Sequence, residues 1–314
     1  MDNNIKKIID NIGKVIIGNN KVIKLLLTGL LAEGHILIED VPGLAKTKMA
    51  HCLALSLGTG FNRIQFTPDL QPSDITGVYY YDQKEGDFKF REGPILTNII
   101  LADEINRAVP RTQSSLLEAM QEQQVSVEGN NFKIDDPFMV IATQNPIELE
   151  GTFPLPEAQL DRFLLKIDIG YPDIEEEVEI LRRFKEKDPI EDLSAVVDKE
   201  QIIEMRDRVK QVKITEDLLN YISKLALVSR QHEQLRLGIS PRGSLSLMKA
   251  SMAYAYINGR EYVLPDDIKY LFPYVAGHRL ILDYDSEVMD IQKDEIIGNI
   301  LNEVEVPVEG EINE

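Results

Sequence analysis

Five short apolar runs dominate the first half of the chain: Ile36–Ile38, Ile64–Phe66, Ile99–Ala102, Phe138–Ala142 and Phe163–Ile167. They are continuous rather than alternating, so strands built from them must be covered on both faces. Helical patterns separate several of them, notably 21–32, 47–57 and 112–122. Buried strands interleaved with helices predict an α/β fold around a parallel five-stranded sheet. Two stretches break the pattern. Residues 77–93 place Val78-Tyr79-Tyr80-Tyr81 and Phe88-Lys89-Phe90-Arg91 about a turn, and residues 125–134 flank Gly129-Asn130-Asn131. Both read as inserted β-hairpins.

After Gly170-Tyr171-Pro172 the strand signals stop, and helical runs follow near 174–187, 199–211, 216–231, 241–258 and 265–275. The expected division is an α/β domain over 1–171 and an all-helical second domain over 172–314. Residues 302–314 hold five Glu and no Lys or Arg, and read as a frayed acidic tail.

Composition narrows the partners. The 314 residues carry 53 acids against 34 bases, a formal charge of −19, with no basic stripe. Such a surface repels phosphate backbones and disfavours nucleic acid. A single cysteine, Cys52, excludes an intramolecular disulfide or a Cys-rich zinc site. His35, His51, His232 and His278 show no ligand spacing, and no G-x-S-x-G motif supports acyl transfer. The N-terminus has an early acid and no apolar core, and no window approaches the ~18 apolar residues of a membrane span. A cytoplasmic protein is expected.

Chemistry concentrates where apolar runs end. From His35 to Ala50, a buried strand passes through a tight loop holding Pro42, Gly43, Lys46 and Thr47 into a helix. A helix N-terminus offers unpaired N–H groups and a positive dipole end to phosphate, a lysine adds charge, and the next hydroxyl can ligate Mg²⁺. The strict pattern G-x-x-x-x-G-K-[ST] is missed at Asp40 and Ala45. Asp103 and Glu104 follow a second apolar strand, as a metal-holding and water-polarising pair or as a solvated acidic turn. Asn145 follows a third, as an amide bridging phosphate and water or as a turn residue before Pro146. Arg162 precedes the last strand, either in a surface ion pair or aimed at a neighbouring subunit's nucleotide, where a guanidinium stabilises transferring phosphoryl charge. All four signals in this order are specific.

The chain resembles the AAA+ ATPases, and within them the MoxR group. The resemblance rests on Gly34-His35-Ile36-Leu37-Ile38-Glu39-Asp40-Val41-Pro42-Gly43-Leu44-Ala45-Lys46-Thr47, Leu101-Ala102-Asp103-Glu104-Ile105-Asn106-Arg107-Ala108, Leu116-Leu117-Glu118-Ala119-Met120-Gln121-Glu122, Ala142-Thr143-Gln144-Asn145-Pro146, and the run from Glu150 to Phe163. It implies a P-loop α/β core with a helical lid, ATP and Mg²⁺ as cofactors, and a homo-oligomeric ring, as a rule a hexamer. It places Val41, Pro42, Gly43, Leu44, Ala45, Lys46, Thr47 and Lys48 around the phosphates, and Ile17 and Gly18 against the adenine. Thr47 and Asp103 fall to the metal, Glu104 to the attacking water, Asn145 to sensor 1, Arg162 to the arginine finger and Arg242 to sensor 2. Ser240 and Pro241 agree locally, as an N-cap and a first helical residue before Arg242. The resemblance also implies remodelling or activation of a protein client, often with a von Willebrand factor A-domain partner. A helicase-type nucleic-acid motor and an assembly module with little turnover are the alternatives. The group commonly carries Ala at position 45, while Asp40 is expected to turn its carboxylate away from phosphate.

Overall fold

In the computed structural model, which describes residues 2–41, 43–146 and 151–307, two helices come first, α1 (Asn3–Ile12) and α2 (Asn20–Leu31). Strand β1 (Ile36–Glu39) leads into α3 (Lys46–Ser56), then β2 (Phe61–Gln65) and the short α4 (Pro72–Thr76). A hairpin of β3 (Gly77–Asp82) and β4 (Asp87–Glu92) precedes β5 (Ile99–Asp103) and α5 (Pro110–Glu122). A second hairpin, β6 (Gln124–Val127) with β7 (Asn130–Lys133), leads to β8 (Met139–Gln144), α6 (Glu157–Leu160) and β9 (Leu165–Ile167).

The long strands form one sheet in the order β2-β5-β8-β1-β9, with every pair parallel. Period-2 alternation sorts its side chains between two cores. Ile36, Ile38, Ile99, Leu101, Met139 and Ile141 enter the core shared with α1–α3. Leu37, Ile100, Ala102, Val140 and Ala142 face the other, closed by α5. Burial on both faces is why these strands read as unbroken apolar runs. The two hairpins lock together: Phe90 stacks on Phe132 with ring centroids 4.0 Å apart, and Asn130 Nδ2 donates to Tyr79 Oη over 3.0 Å.

Beyond Gly170 come α7 (Ile174–Arg183), α8 (Lys199–Lys210), α9 (Glu216–Gln231), the strand β10 (Leu235–Leu237) and α10 (Pro241–Ile257). They are followed by α11 (Pro265–Ala276), β11 (Ile281–Leu282), α12 (Tyr284–Val288) and α13 (Lys293–Glu303). Among the described residues, this half is helical apart from the antiparallel β10–β11 pair and a single parallel bridge between Lys213 and Tyr262. Its buried residues join the same core as α1 and α2, with α10 packed along α2. The expected frayed tail does not begin at Asn302: α13 runs to Glu303 and Val304 is buried in that core, because Ile296, Ile297 and Ile300 carry an apolar face up to it. Residues 308–314 lie outside the described residues. Among the described residues, no helix is long and apolar enough to cross a membrane.

Candidate functional site

The carboxyl edge of the sheet opens into a cavity of about 730 Å³. Ligands of open α/β sheets bind at this edge, where strand order reverses. Helix α3 starts there without a side-chain cap; its cap residue is Ala45, in the left-handed region at φ 55°. The first N–H groups of α3 are therefore left for an anion. Gly43, at φ 92°, has no neighbour among the described residues within 4 Å of where a Cβ would stand, so the loop is open toward the cavity. Gly43, Ala45, Lys46, Thr47 and Lys48 line it. Val41 and Leu44, within the loop, are half-buried and do not line the cavity. Pro42, and Glu150 at the head of the last motif, lie outside the described residues.

Lys46 Nζ donates to the Asp40 carbonyl over 2.7 Å. Burial pushes its pKa down, opposed by the Asp40, Asp103 and Glu104 carboxylates. Asp40 turns its carboxylate onto the backbone amides of Val41, Ile169 and Gly170 and does not line the cavity. Lys48 lines the cavity, but its ammonium is engaged by Asp188 at 2.6 Å and lies over the Phe184 ring. Val15, Ile17, Ile180 and Phe184 form an apolar wall. Gly18 sits one step away in an adjoining recess, where a Cβ would fall 2.0 Å from the Glu176 carboxylate.

Asp103, Glu104 and Asn145 reach the same cavity from the ends of β5 and β8. Thr143, which the sequence reading leaves unassigned, ties the acidic pair together: its hydroxyl donates to Asp103 Oδ1 over 2.6 Å and accepts the Glu104 N–H over 2.9 Å. Two β2 side chains also bond to these acids, unforeseen from sequence. Arg63 Nη2 lies 2.7 Å from Asp103 Oδ2, and Gln65 Nε2 donates to Glu104 Oε2 over 2.9 Å. The strand register sets Arg63 beside Leu101 and Gln65 beside Asp103. No local motif signals such a pairing.

Arg162 and Arg242 do not join this cavity. Both line a second cleft of about 400 Å³, together with Lys249. Leu164 N donates to His35 O over 2.8 Å, which places the Arg162 turn at the amino edge of the sheet. A four-residue strand such as β1 separates the two edges by roughly 10 Å. Arg162 Nη1 donates to Leu117 O over 2.7 Å, while its buried Nε has no hydrogen-bond partner among the described residues. Ser240 caps α10 through the Gly243 N–H, with Pro241 at the first turn. Arg279 clasps this region: Nε donates to Asp161 Oδ1 over 2.7 Å and Nη2 to Phe163 O over 2.6 Å.

The donor set of the first cavity fits Mg²⁺ arriving with a nucleotide. The Thr47 hydroxyl and Asp103 carboxylate are hard oxygen ligands, beside an uncapped helix start that suits phosphate. Among the described residues, no group of three His, Cys, Asp or Glu could cage a metal by itself. That is the usual situation of Mg²⁺ shared with phosphates.

The sequence model of the ATPase family associated with various cellular activities (AAA) matches residues 35–165, and that of the AAA lid domain matches residues 227–300. The chain is 49% identical over 303 residues to the uncharacterized protein YeaC of Bacillus subtilis, covering 96% of this chain and 95% of that one. It is 40% identical over 312 residues to chaperone MoxR1 of Mycobacterium tuberculosis, covering 96% and 82%. Protein MoxR of Methylorubrum extorquens is 30% identical over 318 residues, covering 93% and 91%. The crystal structure of "a putative ATPase" from Cytophaga hutchinsonii superposes with a TM-score of 0.92 at 42% identity, covering 98% of this chain and 96% of that one.

Proposed function

Because this chain belongs to the MoxR family of AAA+ ATPases, we propose that it hydrolyses Mg·ATP where two copies of the chain meet, and spends the cycle on remodelling a protein client in the cytoplasm. One observation carries the reading. Lys46, Thr47, Asp103, Glu104 and Asn145 converge on one cavity, while Arg162 and Arg242 share a cleft at the opposite sheet edge. Arginines so placed lie away from their own chain's phosphate loop, which favours service to a neighbour's nucleotide. A closed ring, as a rule a hexamer, repeats that contact without leaving an open end.

In this reading the α3 N-terminus and Lys46 hold the outer phosphates, and Thr47 and Asp103 hold Mg²⁺. The metal, when bound, supplies neutralisation of phosphate charge. Asp103 stays oriented through the Thr143 hydroxyl. Glu104 takes the proton of the attacking water, Asn145 aligns that water, and Ile17 with the apolar wall receives the adenine. Arg162 and Arg242 of a neighbour neutralise charge developing in transfer. Residues 1–171 act as the ATPase domain and those from 172 onward as the lid. The family relative named a chaperone supports a protein client, and a von Willebrand factor A-domain protein is the candidate partner.

Phosphate release across a protein dilution series tests the reading. Specific activity should rise with protein concentration and require Mg²⁺. Absence of turnover at every concentration would overturn it.

A further inference from the structure

We propose that Asp40 is a positioning residue that couples the phosphate loop to the linker entering the helical lid. The proposal rests on the nucleotide reading of the loop. The strict phosphate-loop pattern has glycine at this position, and a carboxylate facing phosphate there would repel it. The side chain does something else. Oδ1 accepts the Val41 N–H over 2.8 Å, inside the loop. Oδ2 accepts the N–H groups of Ile169 over 2.7 Å and Gly170 over 2.9 Å. An acid that merely shapes its own turn bonds amides one to three residues away. Here two of the three amides lie 129 and 130 residues along the chain.

What those amides belong to gives the contact its meaning. Ile169 and Gly170 come two and three residues after the end of β9, and Gly170 takes φ 76°, a turn open to glycine at little cost. Three residues on, Asp173 caps α7, whose Ile180 lines the nucleotide cavity beside Phe184. The linker is thus held at its start by Asp40 and reaches the cavity again one helix later. On the other side, the Asp40 carbonyl holds the Lys46 ammonium. A phosphate that draws Lys46 away removes a charged donor from the residue whose carboxylate grips the linker. Charge-assisted bonds to amides are strong enough to transmit such a shift, and a glycine offers none.

Hydrogen–deuterium exchange on the full chain, with and without Mg²⁺ and a slowly hydrolysed ATP analogue, separates the possibilities. In the wild type, nucleotide should protect residues 43–48 and also change exchange over 169–183. Asp40→Gly supplies the first glycine of the loop pattern, so protection at 43–48 should persist while the change over 169–183 is lost. An equal change over 169–183 in Asp40→Gly and wild type, or none in a wild type protected at 43–48, would sink the coupling alone. A wild type showing no protection at 43–48 would overturn the nucleotide reading and the coupling with it. Should Asp40→Gly not fold, the comparison is made on Asp40→Asn. That variant is isosteric, with one acceptor oxygen where the carboxylate has two.

Discussion

The Thr143 hydroxyl lies 2.6 Å from Asp103 Oδ1, and it accepts the backbone N–H of Glu104 at the same time. One side chain on β8 thereby sets both acids at the end of β5.

Thr143→Val keeps the volume and removes both bonds. A buried N–H left unpaired costs about 1–3 kcal/mol, and a mispositioned metal-supporting carboxylate loses about 10–100-fold in metal affinity. The Mg²⁺ concentration giving half-maximal ATPase activity should rise by that factor. Thr143→Ser should restore it.

Lys46 and Glu104 should separate binding from chemistry. Lys46→Ala removes the cation held at the cavity mouth by the Asp40 carbonyl, and a fluorescent nucleotide should show no saturable binding. Glu104→Gln preserves shape and should bind normally while phosphate release stops. Normal turnover in Glu104→Gln would remove that residue from its role.

Arg162 lines a different cleft from Lys46. Arg162→Ala alone should be silent, since every interface loses the guanidinium. Mixing it with Lys46→Ala subunits creates interfaces with one intact member from each, so partial activity should return. The assay is phosphate release against mixing ratio.

His35 is buried and neutral; its Nδ1 accepts the Val140 N–H, and its Nε2–H donates to Met120 O over 3.0 Å. Burial lowers its pKa from 6.5 to about 4. As pH falls, the unfolded chain therefore takes up the proton first. The neutral-state advantage is complete above pH 6.5 and declines toward pH 4, by about 3 kcal/mol for this histidine. Buried His278, also pushed down by burial, acts in the same direction. Urea midpoints measured from pH 7 to pH 4.5 should fall, and His35→Gln should flatten the decline.

The Arg279 side chain is only 2% exposed where it meets Asp161. Arg279→Ala strands a carboxylate and several carbonyls, and breaking such a pair costs about 3–5 kcal/mol. Thermal unfolding should show a large fall in midpoint. Arg279→Lys keeps the charge but lacks the planar fork, and should recover only part of it.

The five-stranded sheet was legible because each strand, buried on both faces, shows as an unbroken apolar run. The hairpins were legible from turn residues between alternating strands. Helix α1 was missed although Ile5, Ile8 and Ile12 mark one helical face, since a short terminal segment offers few periods to read. The β10–β11 pair was missed because strands this short carry almost no pattern.

The α/β scaffold and the strand-end placement of Lys46, Thr47, Asp103, Glu104 and Asn145 could be read along the chain, because strand burial and strand-end chemistry are written in neighbouring residues. Tertiary structure alone decided that Arg63 and Thr143 meet Asp103, that Asp40 grips Ile169 and Gly170, and that Arg162 and Arg242 share a cleft away from Lys46. Those relations depend on sheet register and on helix packing between segments up to about 130 residues apart. No local periodicity encodes them, since each is a contact between patterns rather than a property of one.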